Sequence, residues 1–158
     1  MIARSKKVMF LETETGTFAR MKGFTSMTIN KNAKEYTRQY VDEDFEVTDI
    51  TGISTSIDYA FDQIQGNDVH DKLIEIINEE FVGEDAVVVM LAVDFTDAST
   101  PLTTFNAVKR TFAVIPATEG DSLDAYTYGG TFRVKTERVK GTATTTDKWQ
   151  TATFVPTV

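Results

Sequence analysis

His70 is the only histidine in this chain and cysteine is absent, so few side chains could carry acid–base or nucleophilic chemistry. His70 stands beside Asp68, Asp71 and Lys72 in what reads as the first turn of a helix, a position expected to be exposed. A catalytic imidazole needs a nucleophile or an orienting group within reach, and sequence alone shows no such pairing here. Asp42, Glu43, Asp44 and Glu46 gather hard oxygen ligands of the kind calcium takes. They lack the alternating Asp/Asn pattern, the loop glycine and the distant glutamate of a helix–loop–helix calcium site, and so read as a solvated acidic loop. Asp58 and Asp62, four apart on a predicted strand, share a face but lie far apart along it, which suits a charged stripe better than a catalytic pair. Gly129 and Gly130 are followed by neither Lys-Ser/Thr nor a helix, and the nucleophile-elbow and zinc-protease motifs do not occur. Trp149, Tyr126 and Tyr128 could offer a carbohydrate platform, although aromatic residues in predicted strands read more readily as core or interface. The chain therefore reads as a non-enzyme, with no catalytic residue, metal site or cofactor.

The elements that would position these residues belong to a chain of 158 residues, suited to a single domain over 1–158 with a core of its own. Twenty-five threonines, together with Val, Ile, Phe and Tyr, bias it toward strands. The net charge of -8 argues against a surface that wraps nucleic acid, which needs clustered Lys and Arg. That charge is unevenly spread. Residues 1–40 carry a balance of +5, residues 42–71 carry nine carboxylates with no Lys or Arg, and the remainder stands at -4. A basic and an acidic face on one domain could meet between copies. No segment approaches a membrane span, and the apolar run Val8–Leu11 is too short for a signal peptide, so a soluble protein made in a cytoplasm is expected.

Along the chain, residues 1–17 read as a flexible arm or a lone strand at Val8–Leu11. A strand over Phe18–Ile29 is interrupted by Gly23, and Asn30, Lys31 and Asn32 supply turn chemistry. Residues 34–49 read as an extended, hairpin-like loop, too polar for core. After Thr51 and Gly52 comes the cleanest period of two: Ile53, Thr55, Ile57, Tyr59 and Phe61 share one face, and Ser54, Ser56, Asp58, Ala60 and Asp62 share the other. Asn67 or Asp68 caps an amphipathic helix with the stripe Val69, Leu73, Ile76 and Ile77, and Gly83 is expected to stop it. Asp85–Phe95 is apolar on both faces, as in a central strand covered on each side. A turn at Asp97–Thr100, a strand over Phe105–Ile115 ended by Pro116, and strands near Thr131–Val139, Thr142–Thr145 and Trp149–Phe154 complete the series.

Three motifs in this layout resemble a known family. They are Lys34-Glu35-Tyr36-x-Arg38-x-Tyr40-Val41-Asp42-Glu43, the strand Thr51-Gly52-x-Ser54-x-Ser56-Ile57-Asp58-Tyr59-x-Phe61-Asp62, and the helix start Gly66-Asn67-x-Val69-His70. The stretch they occupy is similar to the N-terminal part of tail tube (major tail) proteins of long, non-contractile-tailed bacteriophages. The resembling stretch, residues 23–76, is about a third of the chain, and the later strands agree in number and length alone.

The resemblance implies a mainly β fold with one flanking α-helix, a β-sandwich or barrel-like domain with a long inter-strand arm. It implies six-membered rings that stack into a hollow tube conducting DNA from capsid to host, in a virion tail. Lys34, Tyr36, Arg38, Tyr40, Asp42, Glu43, Asp44, Phe45 and Val47 would then form the inter-ring arm, with Arg38 the ion-pair donor to an acidic neighbour. Ser54, Ser56, Asp58 and Asp62 would face the lumen, where an acidic surface repels phosphate so that DNA passes without binding. Arg133, Lys135 and Arg138 would make the lumen mixed if their strand also lines it. The implied partners are copies of the same chain and tape-measure, tail terminator and distal tail proteins, with no membrane. Two other readings remain: a tail terminator or the tube of a contractile particle, or a monomeric β-sandwich binding module with its ligand near Trp149 or Tyr126.

Overall fold

The computed structural model describes residues 1–96 and 103–157, so the turn expected at Asp97–Thr100 lies outside the described residues. These form eleven strands and one α-helix: β1 (Lys7–Glu14), β2 (Thr17–Arg20), β3 (Phe24–Asn30), β4 (Ala33–Gln39), β5 (Glu46–Ile53), β6 (Ser56–Asp62), α1 (Asp68–Asn78), β7 (Val87–Asp94), β8 (Thr104–Glu119), β9 (Thr127–Val134), β10 (Val139–Thr144) and β11 (Thr151–Pro156). The fold is mainly β, as the composition predicts, with the one flanking helix that the stripe from Val69 to Ile77 predicts.

Nine strands make one antiparallel sheet in the order β10-β11-β2-β1-β7-β8-β9-β6-β3, and β10 also pairs with β8. That last pairing closes β1, β2, β11, β10, β8 and β7 into a six-stranded barrel. Every one of these strands sends apolar side chains inward: Phe10, Phe18, Leu91, Val93, Phe105, Ala107, Ala143 and Ala152 form a single buried cluster. Trp149 packs against it, with its ring 5.0 Å from Phe95 and 5.6 Å from Phe105.

The second half of β8 leaves the barrel. Thr104–Lys109 pair with β10, and Phe112–Glu119 pair with β9, which leads on to β6 and β3. This wing carries the second core, where Val69, Leu73 and Ile76 of α1 meet Leu11, Met90, Phe112, Val114, Ile57, Tyr59, Phe61 and Phe132. Pro116, expected to end β8, instead sits at a bulge, past the last residue paired with β7, where a missing N–H is tolerated.

Other expectations need correction. Residues 1–17 are no flexible arm: β1 lies between β2 and β7, with Phe10 and Leu11 fully buried. Gly23 does more than interrupt a strand, since it separates β2 in the barrel from β3 at the far edge of the wing. Helix α1 starts where the sequence places it, with the Asn67 side chain accepting from the Val69 and His70 N–H groups. It stops before Gly83. Glu80 takes φ 52° while its N–H reaches the Ile77 carbonyl and that of Phe81 reaches Ile76, the paired closure usually built on glycine.

Tyr59 holds the one buried side-chain polar atom without a partner among the described residues. Its ring stacks 4.2 Å from Phe132, and burial pushes its hydroxyl pKa up to about 12. Removing a desolvated, unbonded hydroxyl removes a penalty the unfolded chain never meets. Tyr59→Phe is therefore expected to stabilise the protein by about 0.5–1.5 kcal/mol, read as a higher urea midpoint. A lower midpoint would mean that the hydroxyl is bonded after all.

Candidate functional site

Strands β3 and β6 pair from Phe24↔Phe61 to Asn30↔Ser56, and β4 and β5 continue from Ala33↔Ile53 to Gln39↔Glu46. The four strands thus form one long ribbon, broken once at residues 31–32 and 54–55. At the break Asn32 adopts φ 48°, and its side-chain amide donates to the Ser54 carbonyl and the Ser56 hydroxyl, both at 2.9 Å. Beyond it, among the described residues, β4 and β5 pair only with each other. The segment 34–49, expected as an extended, hairpin-like loop, is the greater part of a regular β-hairpin about 25 Å long.

Alternation divides the hairpin into two faces. Tyr36, Arg38, Val47 and Asp49 share one, where the Arg38 guanidinium lies 5.1 Å from the Tyr36 ring centre and 5.5 Å from that of Tyr40. Its Nε donates to the Tyr40 hydroxyl at 2.7 Å, and an amino nitrogen meets the Asp49 carboxylate at 2.6 Å. These contacts hold the guanidinium above its ordinary range. Arg38, expected to pair with a neighbour, is thus taken up within its own arm. Lys34 lies near the hairpin base, paired with Gly52. The opposite face bears a Thr37–Thr48 hydroxyl contact at 3.0 Å. At the tip, Asp42, Glu43 and Asp44 stand exposed between Val41 at 108% and Phe45 at 78% exposure. Ile50 and Ile53 also face solvent, so Ile53 does not belong with Ile57, Tyr59 and Phe61.

Of the four residues expected to face a lumen, Ser54 and Asp58 are exposed and Asp62 is partly so. Ser56 is buried, because Asn32 folds over it. Asp58 accepts from the Asn30 amide and from the Thr131 hydroxyl, both at 3.0 Å. Pairing places Thr28, Asp58 and Thr131 in one row across the wing's outer face, and Arg133 opposite Ser56 on the same face. The other two cations of concern lie elsewhere: Lys135 is paired with Glu84, and Arg138 lines a groove at the barrel.

His70 is fully buried, contrary to the reading of an exposed helix-start residue. Its ring lies 4.5 Å from Phe61 and 5.6 Å from Phe24. Nδ1 accepts from the Ile64 N–H at 3.1 Å, so Nε2 carries the proton it shares with the Lys22 carbonyl at 2.6 Å. Both nitrogens are thus committed to backbone groups. Trp149 and Tyr128 lie in separate cores and cannot form a joint platform, while Tyr126 is half exposed and donates to Glu119 at 2.7 Å. Among the described residues no group of three or more His, Asp or Glu could hold a metal, and no helix is long and apolar enough to cross a membrane.

Burial lowers the His70 pKa, outweighing the Lys22 carbonyl and the Asp71 and Asp62 charges, which raise it. As pH falls the unfolded chain takes up the proton first, so stability is full above the ordinary value of 6.5 and declines below it, levelling off past the folded value. Wild type should lose urea resistance by this route in the window below about pH 7. His70→Gln should be weaker by about 1–3 kcal/mol at pH 8 yet flatter across that window, as urea titrations at several pH values would show.

No family model and no curated protein matches this chain. Among solved structures it is similar to the sheath/tube terminator of PVC, an extracellular contractile injection system, seen by cryo-electron microscopy in its extended state. The two chains share 16% identity at a TM-score of 0.50, over 89% of this chain and 96% of that one. The likeness is one of fold.

Proposed function

We propose that this chain is a structural, non-catalytic subunit of a phage-tail-like particle, assembling with copies of itself into rings through the β4–β5 arm. The observation that carries this reading is the arm. A two-stranded hairpin with both outer edges unpaired is marginal in water, and this one presents Tyr36, Tyr40, Val41, Phe45, Ile50 and Ile53 to solvent. Such an element is retained where a neighbour covers it. The outer edge of β3 is likewise unpaired among the described residues and carries no charged residue to blunt it. A ring in which each edge meets the next copy removes both hazards.

Two places in such a particle fit. In the first the rings stack into the tube itself, with the row of Thr28, Asp58 and Thr131 toward the lumen and DNA repelled from its surface. The motifs of the arm and of β6 support that placement. In the second the rings cap the end of the tube, and the likeness in fold to a sheath/tube terminator favours it. Other tail proteins, a tape-measure protein among them, would be partners in either case.

Negative-stain electron microscopy of the purified chain, dilute and then concentrated, separates them: hollow filaments mark a tube subunit, and rings that never lengthen mark a terminator. Deleting Lys34–Asp49 is expected to leave a folded domain by circular dichroism that forms neither. Rings or tubes from the deletion would remove the arm from the interface.

A further inference from the structure

The five cations Arg4, Lys7, Arg20, Arg138 and Lys140 come together along a groove between the unpaired edge of β3 and the barrel, and the arm takes no part in lining it. Its larger section has a cavity volume of about 730 Å³. The floor is apolar, with Met27 and the half-exposed Ile29 from β3 facing Val8 and Val108. Among the described residues Asp94 is the one carboxylate in the lining, and the Thr96 hydroxyl and N–H already engage it. Among the described residues, none of the five cations lies within ion-pair distance of a carboxylate.

We propose that this groove receives the arm tip of a second copy of the chain, an inference that rests on the assembly reading above and names where the arm docks. Asp42, Glu43 and Asp44 run consecutively between the exposed apolar side chains of Val41 and Phe45. That order, apolar at both ends and acidic between, matches a groove with an apolar floor and a basic rim. The match extends to what each side lacks: the tip has no cation, the groove has a single, engaged carboxylate among the described residues, and the arm's own Arg38 is spent on Asp49. Phosphate could also satisfy the rim, but the apolar floor has no use for it.

A cysteine-free chain makes the test direct. Full-length Phe45→Cys and Ile29→Cys chains are mixed, oxidised, and their disulfides mapped by mass spectrometry. A 45–29 cross-link is expected, at least about tenfold above that from a Leu123→Cys chain whose cysteine sits in an exposed loop elsewhere. Lys7→Glu with Arg138→Glu on the Ile29→Cys chain should cut the yield about tenfold, and Asp42→Lys with Asp44→Lys on the Phe45→Cys chain should restore it. Because the tip reversals alone leave the groove chain intact, their own loss of yield stands even if the groove double variant fails to fold. Equal yields at positions 29 and 123, or yields indifferent to both reversals, overturn the groove. Retention of a duplex oligonucleotide by the wild type and not by Lys7→Glu with Arg138→Glu also overturns it, in favour of nucleic acid. Rings or tubes without the 45–29 link remove the groove and leave the assembly reading; the link without any ring or tube does the reverse.

Discussion

Backbone pairing along β8 is the constraint on which the rest of the molecule depends. Its sixteen residues serve β7 on one side and, in succession, β10 and β9 on the other. A strand with partners on both edges cannot shift register without exposing N–H and C=O groups at every position. Barrel and wing are therefore fixed relative to one another by the same hydrogen bonds that hold each together. Alternation then assigns the side chains. Odd positions of β7 and β8, Leu91, Val93, Phe105 and Ala107, fill the barrel, while even positions, Val88, Met90, Phe112 and Val114, meet the helix and wing. The unbroken apolar run of β7 is what a wall between two cores requires.

The chain must cross from barrel to wing between β2 and β3, and His70 fixes where it does so. Gly23 takes φ 75° there, and a Cβ on it would stand 2.7 Å from Ile64 and 2.9 Å from the His70 ring. The imidazole bonds Lys22 on one side of the crossing and Ile64 on the other. Since β3 runs directly into the ribbon, this clamp sets the root of the arm, and Asn32 sets its bend. A histidine that looks idle by the standards of catalysis thus does positional work, which explains why both of its nitrogens face backbone rather than an open site.

What could be read in the sequence was local. The Asn67 cap, the stripe of α1, the doubly buried run of β7 and the alternation from Ile57 to Phe61 all follow from short-range pattern, and each stands where the pattern puts it. What was misread depends on distant chain. His70 is buried by Phe24, Phe61 and Lys22, none of them near it in sequence. Ser56 is covered by Asn32 across the ribbon, and the Val8–Leu11 run becomes a central strand because β2 and β7 flank it. Pro116 ends a strand by rule but not at a bulge. The arm residues were found by their polarity, whereas the sharing of one face by Tyr36, Arg38, Val47 and Asp49 needed the pairing of β4 with β5.

The charge asymmetry along the sequence gains meaning from this geometry. Arg4, Lys7 and Arg20 are basic residues of the first forty, but Arg138 and Lys140 join them only because β10 closes the barrel near β1 and β7. The acidic tip, in turn, is sharpened when Arg38 is neutralised by Asp49 inside the hairpin, leaving Asp42, Glu43 and Asp44 with no cation of their own. The two surfaces are different parts of the molecule, and a hairpin held at both root and bend does not fold back freely to join them. A contact of tip with groove is consequently head-to-tail, and a head-to-tail contact repeats from copy to copy until rotation closes it into a ring or carries it on as a filament. Segregating charge on a stiff projection therefore makes association between copies the way each surface finds its complement.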